Sequence, residues 1–85
     1  MKITVLYFAR IKEAVNYSSE EVELPAEITT ITGLKNWLAL RGDTWAELFN
    51  GKQVVRAAIN HALVDNMAAI SANDEVAFFP PITGG

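Results

Sequence analysis

The C-terminal end of the chain carries the residues best suited to chemistry. The sequence ends on Gly84-Gly85, and a carboxyl group on two residues without side chains can enter a channel too narrow for any other residue type. Termini tolerate small residues in general, and at average glycine usage such a pair arises by chance in roughly one chain in 200. The pair therefore becomes informative only together with the residues before it.

An apolar segment and two prolines precede the glycines. Phe78-Phe79 is followed by Pro80-Pro81, then by Ile82 and Thr83. Two consecutive prolines favour an extended backbone, so residues 80–85 should leave the fold as a stiff arm that reaches about 20 Å. We predict a domain at residues 1–79 and an extended tail at residues 80–85, whose terminal carboxyl enters the active site of a partner.

Composition narrows the class of protein. Eighty-five residues make one small domain, and the absence of cysteine excludes disulfides, thiolate nucleophiles and zinc-thiolate sites. Any sulfur handled by this protein would have to sit on the terminal carboxyl. The lone His61 is predicted to be a solvent or turn residue, and no metal site is expected.

Charge and hydropathy indicate which partners to expect. Seven Lys and Arg stand against ten Asp and Glu, and the basic residues are scattered, so nucleic acid is not an expected partner. No apolar stretch is long enough to span a membrane, and the N-terminus lacks a signal-peptide pattern. We expect a cytoplasmic protein.

The elements that must position the tail follow from local patterns. Thr30 is a good N-cap for an amphipathic helix at residues 31–41, with Ile31, Leu34 and Leu38 on one face and Gly42 at its end. A short helical turn is predicted at residues 43–49. Strands are predicted at residues 3–9, 20–24, 54–59, 63–64 and 75–79. This order is typical of an α+β fold of the β-grasp (ubiquitin-like) type, with a mixed sheet packed on one main helix.

Both faces of the predicted sheet are apolar. In the first strand Leu6 and Phe8 point to the face opposite that of Ile3, Val5 and Tyr7. In the last strand Ala77 and Phe79 likewise oppose Val76 and Phe78. One helix covers only one face, which leaves two interpretations of Phe8 and Phe79. Loops bury them as ordinary core, or they form an exposed apolar patch that binds a protein. Trp37 and Trp45 are predicted at the core or its edge, and Glu20, Glu21 and Glu23 on a solvated strand edge.

The chain resembles the small, sulfur-carrier subunits of molybdopterin synthase, in the MoaD/ThiS family of ubiquitin-like proteins. The resemblance spans nearly the whole sequence, and its most specific part is the terminal run. It rests on Val5-Leu6-Tyr7-Phe8-Ala9, Thr30 with Leu34, Trp45-Ala46, Ala58-Ile59-Asn60, Leu63-Val64, Asp74-Glu75-Val76-Ala77 and Phe78-Phe79-Pro80-Pro81-Ile82-Thr83-Gly84-Gly85. Gly33 early in the helix, the polar stretch 16–19 and His61 depart from the family pattern, and none of these touches the tail.

The resemblance implies a carrier mechanism. A C-terminal carboxylate is ionised near neutral pH and is a poor electrophile, so an E1-like adenylating enzyme activates Gly85 with ATP and Mg²⁺. A persulfide donor then converts the acyl-adenylate to a thiocarboxylate, whose sulfur is transferred to cyclic pyranopterin monophosphate in the large subunit. The chain itself would bind no cofactor and would act as a non-catalytic covalent donor in a synthase of two small and two large subunits.

The resemblance also implies the role of each site residue. Gly85 carries the adenylate and then the sulfur. Gly84 has no side chain and allows the terminus to pass through a narrow channel of the partner. Ile82 and Thr83 line the entry, while Pro80 and Pro81 stiffen the arm. The apolar docking surface, shared by the activating enzyme and the large subunit, comprises Phe8, Leu63 and Phe79.

Two alternative functions stay open on the sequence. A sulfur carrier of another pathway, for thiamine thiazole or a tungsten cofactor, would share the fold and the tail chemistry. A ubiquitin-like binding module that carries no sulfur would share only the fold.

Overall fold

The fold was analysed in a computed structural model, which describes residues 1–81. These residues form three helices and five strands. They are β1 (Lys2–Tyr7), α1 (Ala9–Val15), β2 (Ser19–Glu23), α2 (Ile31–Ala39), α3 (Asp43–Asn50), β3 (Arg56–Ile59), β4 (Ala62–Val64) and β5 (Glu75–Phe79). The predicted mixed sheet packed on a main helix is confirmed.

The five strands form one sheet in the order β2-β1-β5-β3-β4. The central pair, β1 and β5, runs parallel, with Tyr7 opposite Phe78, while the other neighbours pair antiparallel. Parallel pairing brings the C-terminal ends of β1 and β5 to the same end of the sheet. The residues that follow each of these two strands therefore begin side by side.

Helix α2 begins where the sequence predicts. The Thr30 hydroxyl accepts a hydrogen bond from the Gly33 N–H at 3.1 Å, and this N-cap satisfies one of the unpaired amides of the first turn. The predicted apolar stripe of Ile31, Leu34 and Leu38 is fully buried. The helix ends at Ala39 rather than at residue 41.

The core lies between the helices and one face of the sheet. Tyr7 and Phe78 are almost completely buried there, and the Phe49 ring of α3 meets Phe78 edge-on, with 5.0 Å between centroids. Trp37 and Trp45 are partly buried against this core, as predicted for residues at its edge. The core otherwise contains aliphatic residues of the inward strand positions and of the three helices, together with Leu24, Val55 and Ile70 from the connecting segments.

Helix α1 was not predicted. The sequence interpretation continued β1 to residue 9, but Ala9 adopts a positive φ of 53° and turns the chain into a two-turn helix. Asn16, at φ 64°, ends the helix, and its N–H donates to the Lys12 carbonyl. Only Ile11 and Val15 of this helix are buried, so its apolar period is too short to stand out in the sequence.

The prediction of a fully solvated acidic edge on β2 is wrong for Glu20. The side chain of Glu20 is only 18% exposed, and it accepts a 2.7 Å hydrogen bond from the Tyr7 hydroxyl. Arg41 donates to both carboxylate oxygens, at 2.6 and 3.1 Å, and its guanidinium lies 4.6 Å from the Trp45 ring centroid. This network ties β1 and β2 to the end of α2.

The network changes two pKa values. Burial, together with the hydrogen bond to Glu20, raises the pKa of Tyr7 far above its usual range. The hydrogen bond to Glu20 also raises the pKa of Arg41. Both groups therefore keep their protons more tightly in the folded protein than in the unfolded chain.

Candidate functional site

The face of the sheet opposite the core remains accessible. We call it the open face and define it by its apolar residues. They are Leu6, Phe8, Ala58, Leu63, Ala77 and Phe79. Strand pairing aligns Leu6, Ala77, Ala58 and Leu63 in one row across four strands, and places Phe79 opposite Arg56 in the next row.

Phe8 lies at the end of β1 and points away from the core. Its N–H donates to the Phe78 carbonyl at 3.1 Å, which continues the pairing of β1 with β5 by one residue. Because Tyr7 points inward, the next side chain points outward. Phe8 is 48% exposed, so the interpretation in which loops bury it as core is wrong.

Leu63 belongs to the edge strand β4 and is 62% exposed. The hairpin that leads into β4 turns at Asn60 and His61, which both have positive φ, 50° and 73°. Such a pair of left-handed residues is typical of a tight two-residue hairpin. The Asn60 amide also accepts from the Glu75 N–H and donates to Asp74, each at 2.9 Å, so the turn is fixed to the start of β5.

Phe79 is the last residue of β5 and is partly buried. It shares a shallow hollow of about 350 Å³ with Leu63. Three further residues line this hollow: Arg56, Ala58 and His61. The structure therefore brings Phe79 and Leu63 together, although they lie on strands separated by β3.

The arm begins beside these side chains. Pro80 and Pro81 follow β5 directly, outside any helix or strand, and both are partly buried. Because β1 and β5 are parallel, Phe8 and Pro80, which follow these strands, lie at the same end of the sheet. The remaining predicted tail residues, Ile82, Thr83, Gly84 and Gly85, lie outside the described residues.

Sequence reasoning missed two residues of this surface, Arg56 and Ala58. Arg56 is exposed, and Ala58 lies between the larger side chains of the same row. The signal that could have found them is the period of two along β3, where the buried Ala57 places both of its neighbours on the outward face. His61, predicted as a solvent or turn residue, is such a residue: its side chain is 88% exposed and its Nε2 atom lies 3.6 Å from the Glu75 carboxylate.

Residues 1–81 contain neither a metal-binding cluster of side chains nor a membrane-spanning helix. No group of three or more His, Asp or Glu in residues 1–81 could bind a metal ion. In the same part of the chain, no helix has the length and apolar character needed to cross a bilayer.

Fold and surface together define a ubiquitin-like β-grasp protein with an apolar sheet face beside Pro80 and Pro81. Residues 5–85 match the ThiS family, and the chain belongs to this family. It is 40% identical over 84 residues to the molybdopterin synthase sulfur carrier subunit of Escherichia coli strain K12, with 98% of this chain and 99% of that protein covered. The Haemophilus influenzae protein of the same name is 38% identical, with the same coverage.

Solved structures confirm the fold. SAMP1 from Haloferax volcanii superposes with a TM-score of 0.78 at 20% identity, and the match covers 100% of both chains. A chain from the complex of subunits 1 and 2 of the molybdopterin-converting factor of Helicobacter pylori superposes with a TM-score of 0.68 at 22% identity, again over 100% of both chains. At these identities the likeness concerns the β-grasp architecture alone.

Proposed function

We propose that this chain is the sulfur-carrier subunit of a molybdopterin synthase. The observation that carries the proposal is its full-length similarity, at 40% identity, to a protein of that name. The open face at the root of the arm supports the proposal, because a carrier must dock while its tail is used. The terminal Phe-Phe-Pro-Pro-Ile-Thr-Gly-Gly run supplies a tail of the required form.

In this mechanism Gly85 is the reacting residue. The activating enzyme uses ATP and Mg²⁺ to form an acyl-adenylate, which turns an unreactive carboxylate into an electrophile. The terminal sulfur of a persulfide attacks the acyl carbon and AMP leaves, and a thiol then releases the thiocarboxylate from the acyl disulfide. The thiocarboxylate sulfur next acts as the nucleophile on cyclic pyranopterin monophosphate in the large subunit.

The other tail residues would serve delivery. Pro80 and Pro81 stiffen the arm, since each fixes its own φ. Ile82 and Thr83 line the entry to the partner, and Gly84 allows the passage of the chain through a narrow channel. The ATP and Mg²⁺ belong to the activating enzyme in this proposal, so the carrier needs no cofactor of its own.

The open face would bind the two partners in turn. Phe8, Leu63 and Phe79 would contact the activating enzyme during charging and the large subunit during transfer. Two sulfur atoms complete one dithiolene, which favours an assembly of two small and two large subunits. Adenylation and thiol reduction both suit the cytoplasm, where we place the protein.

Intact-mass measurement tests the proposal directly. The chain is incubated with the activating enzyme, ATP, Mg²⁺, a persulfide donor and a thiol, and its mass should rise by the difference between sulfur and oxygen. Deletion of Gly85 should abolish this gain and leave the free energy of unfolding within about 0.5 kcal/mol of the wild type, because a chain terminus contributes little to stability. An unchanged mass in the full-length chain would favour a binding module without carrier chemistry.

Binding to the acceptor separates the pathways. The proposal requires the charged chain to form a complex with a molybdopterin synthase large subunit and to convert cyclic pyranopterin monophosphate. A complex with a thiazole synthase, and none with the large subunit, would assign the chain to thiamine synthesis instead.

A further inference from the structure

The row of residues across the open face is uneven in size. Leu6 and Leu63 lie at its two ends, while Ala77 and Ala58 lie between them. Three strand spacings separate the ends, a distance of about 14 Å. Large residues at the ends and small ones in the middle leave a depression over the two alanines.

The hollow beside Phe79 occupies the β3 and β4 side of this depression. Its apolar lining residues are Ala58, Leu63 and Phe79, of which Ala58 has the smallest side chain. Its volume of about 350 Å³ lies at the lower end of the range for ligand pockets, but the hollow is open. An opening of this kind suits one inserted side chain of a protein better than an enclosed small molecule.

One residue of the hollow, Arg56, carries a permanent positive charge. Arg56 and His61 are its two basic residues. His61 lies beside Glu75, with 3.6 Å between its Nε2 and the carboxylate. Arg56 forms no salt bridge with any acidic residue in the described part of the chain.

This guanidinium, which has no salt bridge within residues 1–81, lies within the docking surface of a chain whose net charge is −3. A guanidinium presents several donors in a planar fork that matches a carboxylate. It is opposite Phe79 in the strand register, so any partner that covers Phe79 also approaches Arg56. A partner that covered Arg56 without an acidic group would remove its charge from water without compensation.

We infer that the hollow over Ala58 receives an apolar side chain of the large subunit, and that Arg56 pairs with a carboxylate next to that side chain. The inference rests on the proposed function and adds the local chemistry of the partner. The apolar side chain fixes the position of the carrier, since anchors that fill pockets dominate interface energetics. The charged pair fixes its orientation, so that the arm at Pro80 points to the site that receives it.

Two substitutions test the two halves of the inference separately. Ala58→Leu fills the hollow, and Arg56→Glu reverses the charge at the rim. Each has a matched control away from the open face: Ala26→Leu in the exposed loop before α2, and Lys52→Glu in the exposed segment after α3. Affinity for the large subunit is measured by calorimetry, and association rates are measured at low and high salt.

Both test variants should bind more weakly and both controls should not. Ala58→Leu should raise the Kd about tenfold or more at every salt concentration, because the defect is steric. Arg56→Glu should raise it about tenfold to a hundredfold at low salt, with slower association, and less at high salt. Reversal of the partner's matching carboxylate to Arg should restore the affinity of Arg56→Glu, and Ala26→Leu and Lys52→Glu should stay within about twofold of the wild type.

Several results would overturn the inference. If Ala58→Leu and Arg56→Glu bind as tightly as the wild type while Phe8→Ala does not, the hollow and the charge play no part, and the proposed function stands. If no acid-to-Arg reversal in the large subunit restores Arg56→Glu, the charged pair is wrong. If the wild-type chain does not bind the large subunit, the proposed function and the inference both fail.

Ala58→Leu could also destabilise the fold, which a lower melting temperature would show. In that case the smaller substitution Ala58→Val takes its place, and unchanged affinity of a folded Ala58→Val would exclude the inserted side chain.

Discussion

Removal of the Phe8 ring should weaken partner binding more than it weakens the fold. A phenylalanine side chain presents roughly 200 Å², and Phe8 is 48% exposed, so docking can remove about 100 Å² of apolar surface from water. At about 25 cal/mol per Å² this burial is worth about 2.5 kcal/mol. Phe8→Ala should therefore raise the Kd for the large subunit about 60-fold.

The effect on stability should be smaller than that of a core substitution. The part of Phe8 that is already covered contributes about 1–2 kcal/mol to the free energy of unfolding. The same change at the fully buried Phe78 should cost about 3–5 kcal/mol. Urea denaturation of the isolated chain measures both values.

Tyr17 offers a matched control. It is 49% exposed, and its ring lies 6.3 Å from Trp45, on the side of the sheet that the helices cover. Tyr17→Ala removes an aromatic ring of equal exposure and should leave the Kd within about twofold of the wild type. The reasoning is refuted if Phe8→Ala binds like the wild type, or if Tyr17→Ala weakens binding equally.

Two further predictions concern the fold that supports this surface. Because the pKa of Tyr7 is raised in the folded state, its contribution to stability is fully present below about pH 10 and is lost as the pH rises further, at up to about 1.4 kcal/mol per pH unit. Urea denaturation at several alkaline pH values should show this slope in the wild type and a shallower one in Tyr7→Phe, and equal slopes would contradict it. Asn60→Ala removes two hydrogen bonds to the start of β5 and places alanine at φ 50°, so it should cost about 2–4 kcal/mol. Asn60→Gly loses the same bonds but adopts that φ freely, and should retain about 1 kcal/mol more stability than Asn60→Ala.

Much of the fold could be predicted from local patterns. Thr30 begins α2 because its hydroxyl caps the first turn, and the 3.6-residue period of Ile31, Leu34 and Leu38 already identifies the buried stripe. Alternation along β1 and β5 likewise separates Phe8 and Phe79 from the inward set. These features depend on neighbours within a few residues, which is why the sequence reveals them.

Helix α1 and the Glu20 network could not be predicted in this way. Helix α1 depends on an alanine at positive φ and on two buried apolar residues, and it packs against α3 and β5. In the sequence, Glu20 does not differ from the other acidic residues of its strand. Tyr7 and Arg41 approach it from other parts of the chain, and their hydrogen bonds make its carboxylate a partly buried acceptor. Contacts between distant segments leave no periodic signal.

The amino-acid sequence alone determined the two alternating sets of side chains on each strand, the capped helix and the Gly-Gly pair that suggests a carrier. Only the tertiary structure decided that Phe8 stays exposed, that Leu63 and Phe79 share a hollow, and that Arg56 stands at its rim. The physical reason is that the period of a strand defines two faces without stating which one the helices will cover. The order of strands in the sheet then decides which outward residues become neighbours.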